Sequence, residues 1–230
     1  LIVSKSFVEI AGSMLIQADA VQGTHGLEAL RAKLSAVDLH FVPRHPAVWA
    51  RPGRCYWNVR DCVAESGGRI RFGWLVVEIA ALTLLAWHHA VWQQADGQLL
   101  DITPHMQTGW GQGTTTFLED PKQNYDLSWP PAKIQQFEPL IRDARLNAFI
   151  EAYQAQFALQ RAYLEKQRGV AGIEFDDVNM RLHAEDPISG VLLQDLERTW
   201  QPKIQAADAL RGILLDGLVA CQNERLQQAA

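Results

Sequence analysis

Three residues in chain order, Cys55, His89 and Asp101, carry the types that thiol-based acyl chemistry needs. A cysteine attacks as its thiolate, a histidine moves the proton, and a carboxylate holds the imidazole in one tautomer and stabilises its cation. Cys55 follows a loop punctuated by Pro43, Pro46, Pro52 and Gly53, where a helix of about three turns is predicted to start and to stop at Gly67-Gly68. The positive end of a helix dipole favours a thiolate there. Cys62 is two turns further along and Cys221 falls on an apolar helical stripe, so both read as core.

The histidine is one of an adjacent pair, His88-His89, in a predicted strand, and neighbours in a strand face opposite sides. Which of them meets Asp101 depends on the hairpin loop. A two-residue Asp96-Gly97 turn puts Asp101 on the side of His88. A three-residue Ala95-Asp96-Gly97 loop, with glycine in the left-handed position, pairs Asp101 with Val91 and sets it diagonal to His89. Diagonal neighbours are roughly 7–8 Å apart at the backbone, within reach of a His–Asp hydrogen bond. The assignment of His89 therefore requires the longer loop. An oxyanion hole is expected from the Cys55 N–H and a side-chain donor, for which Asn58, His45 and Trp49 are candidates. Trp74 and Trp92, with Trp110, are candidates to line a substrate groove, although strand aromatics more often pack in cores.

Taken together, cysteine at a helix start, Gly73-Trp74, the His-Ala-x-Trp strand of His89 to Trp92, and Asp-x-Thr-Pro from Asp101 to Pro104 resemble the core of transglutaminase-like enzymes of the papain-like superfamily. The likeness covers about residues 50–105. It implies that Cys55 is the nucleophile, His89 its base and Asp101 the residue that orients His89. It implies an amide, ester or peptide substrate and no cofactor, and leaves hydrolysis, deamidation and acyl transfer all open.

The elements that must position these residues give an α+β fold: the nucleophile helix packed on a small antiparallel sheet, with a C-terminal helical extension. A short helix is expected over 26–36 and a strand over 37–42, followed after the nucleophile helix by strands over 69–79, 82–94 and 98–103. Residues 107–133, rich in glycine, threonine and proline, read as loop. Beyond them Leu146, Phe149, Ile150, Tyr153 and Phe157 form a helical stripe. A last helix is expected from Asp186-Pro187, its stripe running from Leu192 to Cys221 with a kink at Pro202. Two regions follow: a catalytic-type core over 1–130 and a helical extension over 131–230, packed on or next to it. The long helices also offer a face for a partner or a second copy.

Composition narrows the alternatives. The 230 residues carry a formal charge of -5, with the 21 Lys and Arg scattered, which argues against nucleic acid. The apolar run from Trp74 to Trp92 is broken by Glu78, His88 and His89, so it reads as buried strands and not as a membrane span. Lys5, Glu9 and Asp19 interrupt the first twenty residues, unlike a secretory signal, and three cysteines make no disulfide framework; both favour the cytoplasm. Against the enzyme stand an interaction protein that kept the fold without the chemistry, and a Cys/His metal protein using Cys55, Cys62, a strand histidine and His105. The spacing Cys-x6-Cys is foreign to zinc knuckles, so no metal is expected.

Overall fold

The computed structural model describes residues 17–20, 23–104 and 113–229. They form two compact units, one built on a sheet (17–125 and 135–141) and one helical (126–134 and 142–229).

The sheet unit is α+β. Its strands are β1 (Gln17–Asp19), β2 (Leu39–Pro43), β3 (Arg69–Ile79), β4 (Thr83–Gln93), β5 (Leu99–Leu100), β6 (Thr114–Glu119) and β7 (Gln136–Pro139). Its helices are α1 (Leu27–Lys33) and α2 (Cys55–Ser66). The sheet runs β2-β6-β3-β4-β5, with β1 also on β3 and β7 also on β4, and its strand pairings are antiparallel. β3 and β4 pair along their whole length through a three-residue turn in which the Leu82 N–H donates to the Ile79 carbonyl. Both strands read as near-continuous apolar runs because both faces of the sheet are covered. On one face Trp74, Val76, Leu84, Ala86 and Leu118 pack with Leu27 and Leu30 of α1. On the other, Val42, Val91 and Phe117 cluster, with Leu99 against them.

Two expectations are corrected here. The stretch over 107–133 is not all loop: Thr114–Glu119 is β6, the strand inserted between β2 and β3. The boundary at 130 also gives way, because β7 returns to the sheet and pairs with Thr83–Ala86 of β4. The outer edge of β4 is thus covered by β7 at one end and by β5, at Trp92–Gln93, at the other. Both histidines lie between those two pairings.

Gly73 sits within β3, opposite His89, and not at a strand entry. A Cβ there would come within 2.4 Å of the Phe117 ring and 2.5 Å of the Leu118 carbonyl, so β6 approaches β3 closely only because the residue is glycine. At the end of α2, Gly68 has φ +86° and its missing Cβ leaves room for the Gln93 carbonyl, 2.2 Å from where that atom would be.

The helical unit pairs α3 (Ala144–Arg168) with α4 (Pro187–Ala229), and the two-stranded sheet of β8 (Ile173–Asp176) and β9 (Arg181–Ala184) lies between them in sequence. Asp143 caps α3 by accepting from the Arg145 N–H, and Leu146, Phe149, Ile150, Tyr153 and Phe157 are buried as their spacing predicts. Asp186 accepts from the N–H groups of Ile188 and Ser189 at the start of α4. That helix runs through Pro202; Ile204, Leu218 and Cys221 are buried, whereas Leu192 and Leu210 are exposed. Among the described residues no helix is long and apolar enough to cross a membrane.

Candidate active site

Cys55 is the first residue of α2 and is buried. Arg54, at the N-cap, gives no side-chain cap, so helix geometry leaves the first N–H groups without intrahelical acceptors. The loop leading to the cysteine is clamped by Asn58, one turn along. Its Oδ1 accepts from the Arg51 N–H at 3.1 Å, and its Nδ2 donates to the Arg51 carbonyl at 2.8 Å and to Thr103 Oγ1 at 3.2 Å. Both amide hydrogens of Asn58, the sequence candidate for an oxyanion donor, are thus engaged in holding the approach to Cys55.

The hairpin after β4 has the three-residue loop. Gln94 and Gln98 flank it, the Gln94 N–H donating to the Gln98 carbonyl, and Gly97 takes φ +91°. Trp92 pairs with Leu100, and the same register continued by one residue sets Asp101 opposite Val91 and diagonal to His89. There Asp101 is fully buried and its Oδ1 lies 3.1 Å from His89 Nε2. Asp101 is itself held: Oδ1 accepts from the Thr103 N–H at 3.2 Å and Oδ2 from Thr115 Oγ1 at 2.6 Å. Thr115 in turn accepts from Arg44 Nε at 2.9 Å, and the Arg44 guanidinium forms a two-point ion pair with Asp19. A polar chain of four side chains beyond the imidazole thus carries its orientation into the sheet.

Cys55 lies close enough to His89 for its charge and a hydrogen bond to favour the charged imidazole. With Nε2 taken by Asp101, the nitrogen left for the thiol is Nδ1. Burial by itself lowers the pKa of His89, but the charges of Asp101 and Cys55 and hydrogen bonds from both outweigh it and raise the value from 6.5 to about 10. The surroundings of the imidazole therefore favour its charged form across neutral pH. The other two cysteines are held differently: burial is the main cause raising the pKa of each, and Cys221 donates to Asp143 Oδ2 at 3.3 Å.

His88 points to the opposite face of β4, against Trp74 at a ring separation of 5.0 Å. Its Nε2 lies 3.0 Å from Asp120 Oδ2 and its Nδ1 2.8 Å from Tyr56 Oη. Asp120 also accepts from Tyr125 Oη at 2.6 Å and from the Lys122 N–H at 2.8 Å. Burial, followed by Cys55, Tyr125 and Asp120, raises the pKa of Tyr56 well above its ordinary range.

The remaining candidates are placed as follows. Trp74 belongs to the core under α1. Trp92 donates from Nε1 to the Gly67 carbonyl at 2.9 Å and so fastens the far end of α2. His45 and Trp49 are exposed, and Trp110 and His105 lie outside the described residues. Among the described residues the one group of metal-type donors is Asp38, His40 and Glu119, within 4.8 Å of one another. Glu119 there also pairs with Arg71 and lies 3.4 Å from His40 Nε2, and no cysteine belongs to the group. Arg44, Thr115, Tyr56 and Asp120 were absent from the sequence candidates. The run of β-branched threonines at 114–116 followed by Phe117 and Leu118 is the one local signal that marks Thr115 as a strand position. Comparisons of the chain with models of known protein families, with curated proteins and with solved structures found no match.

Proposed function

We propose that this chain performs thiol-dependent acyl chemistry on an amide or ester through Cys55, His89 and Asp101. One observation carries the reading: three side chains from a helix start, a strand and the segment after a hairpin meet in series, with the carboxylate fully buried behind the imidazole. A structural histidine needs no thiol at its second nitrogen, and a core cysteine needs no imidazolium.

The Cys55 thiolate adds to the substrate carbonyl carbon, and the oxygen gains negative charge beside the N–H groups at the start of α2. His89 gives its proton to the leaving amine or alcohol as the carbon–heteroatom bond breaks, which yields a thioester on Cys55. His89, now neutral, takes a proton from water or from an amine as that acceptor attacks the thioester, and the thiol is released. Asp101 keeps the imidazole in place through both transfers. Water gives hydrolysis or deamidation, and an amine gives transfer.

Helix, strand and hairpin in this order also support reading residues 50–105 as a transglutaminase-like core of the papain-like superfamily. A thiolate nucleophile fits a reducing compartment such as the cytoplasm.

The test is site-resolved alkylation of Cys55 by iodoacetamide together with turnover of a panel of peptide amides and p-nitrophenyl esters. Cys55 labelling at neutral pH faster than that of a free thiol, slowed in His89→Ala, and turnover lost in Cys55→Ala, are expected. Labelling at the rate of a free thiol and indifferent to His89→Ala would leave an interaction protein that kept only the fold.

A further inference from the structure

Two consecutive residues of α2 are tied to two consecutive residues of β4. Cys55 meets His89, which is backed by Asp101; Tyr56 meets His88, which is backed by Asp120. Because successive strand residues face opposite ways, the two series leave β4 on its two sides.

We propose that Tyr56, His88 and Asp120 form a positioning triad, which docks the first turn of α2 on β4 and thereby sets the Cys55 sulfur against His89. This rests on reading Cys55 as the nucleophile. Several observations converge on it. Tyr56 makes two contacts with the same strand residue, 2.8 Å to His88 Nδ1 and 3.0 Å to the His88 carbonyl, so the hydroxyl grips both ring and backbone next to His89. The His88 side chain is 1% exposed and that of Asp120 6%. Phe72 and Trp74 of β3 wall the imidazole, stacked at 6.4 Å and edge-on at 5.0 Å. The far end of α2 is fastened separately by Trp92.

Counting hydrogens sharpens the proposal. The contacts Oη to Nδ1, Oη to the carbonyl, and Nε2 to Oδ2 need three hydrogens, while the tyrosine hydroxyl and a neutral imidazole bring two. The third is a proton held by the His88–Asp120 pair. Asp120 already accepts from Tyr125 and Lys122, which keeps it a carboxylate, so the proton sits on the imidazole and the buried pair is electrically neutral. Titratable groups against His88 include Tyr56 from α2, and Asp120 and Tyr125 beyond β6, with the Lys122 ammonium 4.7 Å over the Tyr125 ring.

The test compares Cys55 alkylation by iodoacetamide at neutral and strongly alkaline pH in the full-length chain and its variants. At alkaline pH any thiol is ionised, whereas at neutral pH the rate depends on alignment with His89. Tyr56→Phe and His88→Gln are expected to lower the neutral rate about tenfold, the equivalent of one net hydrogen bond, and to leave the alkaline rate unchanged. The double variant is expected to be no slower than the slower single, since both break one series. A wild-type neutral-to-alkaline ratio in Tyr56→Phe, with a lowered ratio in His89→Ala, overturns the positioning role alone. An unchanged ratio in His89→Ala overturns the nucleophile assignment beneath it. Independently of any variant, nitrogen-15 spectra of the wild-type protein at neutral pH are expected to show both ring nitrogens of His88 protonated; one bare nitrogen would overturn the proposal.

Discussion

The two faces of β4 present the same arrangement with one change. Each has a buried histidine whose Nε2 meets a buried aspartate, and each histidine receives a residue from the first turn of α2. On one face that residue is a thiol; on the other it is a phenol whose pKa burial drives up. The phenol cannot become a nucleophile at neutral pH, and the imidazole it meets is spent on holding structure. Under the proposed function, like scaffolding serves a reactive site on one face and an anchor on the other, according to which side chain α2 presents.

Four measurements break or sharpen that contrast, beginning with the largest effect. On the reactive face, Asp101→Asn is expected to cut turnover of an amide or ester substrate by a factor on the order of 10⁴ through loss of the oriented imidazole. Unaltered kcat in a folded Asp101→Asn protein would make the two faces equivalent. On the anchoring face, Asp120→Ala leaves the His88 charge buried and unpaired, with a stability loss of about 3–5 kcal/mol by urea denaturation. A loss within 1 kcal/mol, roughly that of a neutral hydrogen bond, would show that the pair carries no charge.

The third measurement is the pH dependence of stability. The pKa of His89 is higher in the folded chain, about 10 against 6.5, so the fold favours its charged form. The stabilisation is complete below 6.5 and disappears as the pH rises to about 10. Melting temperature is expected to fall across that window and to lose this part of its slope in His89→Gln; an equal slope in both proteins would contradict it. The smallest effect belongs to Trp92→Phe, which removes the hydrogen bond to the Gly67 carbonyl and is expected to cost about 1 kcal/mol. Cys55 alkylation should hardly change in that variant, since the bond fastens the end of α2 remote from the thiol.

The parts of the site that were legible in sequence are those governed by local signals. Gly67-Gly68 ends α2, and the count of residues in the Ala95-Asp96-Gly97 loop decides which histidine Asp101 meets. What escaped was non-local. Asp120 meets His88 from 32 positions away, and Arg44 meets Thr115 from 71. Neither pair leaves a periodic trace. The threonine run over 114–116 resembled loop because Gly109, Gly111 and Gly113 precede it, yet β-branched residues suit a strand covered on both sides. The helical unit was plain by its stripe, while β7 was lost because four residues ending in Pro139 carry too little alternation to register. The partners of Asn58 were equally illegible: its amide hydrogens go to the Arg51 carbonyl and to Thr103 Oγ1, the latter 45 positions away.

The apolar character of β4 on both faces bears on how the chain finds its fold. Shifting a strand by one residue normally turns its greasy side outward, and the resulting penalty rejects the error. Here both sides are greasy from Leu84 to Ala86, so that penalty is weak. The histidines add a polar check: a one-residue slip that turns His89 toward Trp74 takes it away from Asp101 and leaves that buried carboxylate without its imidazole. The pairing of His89 with Asp101 thus helps to fix the register of the sheet.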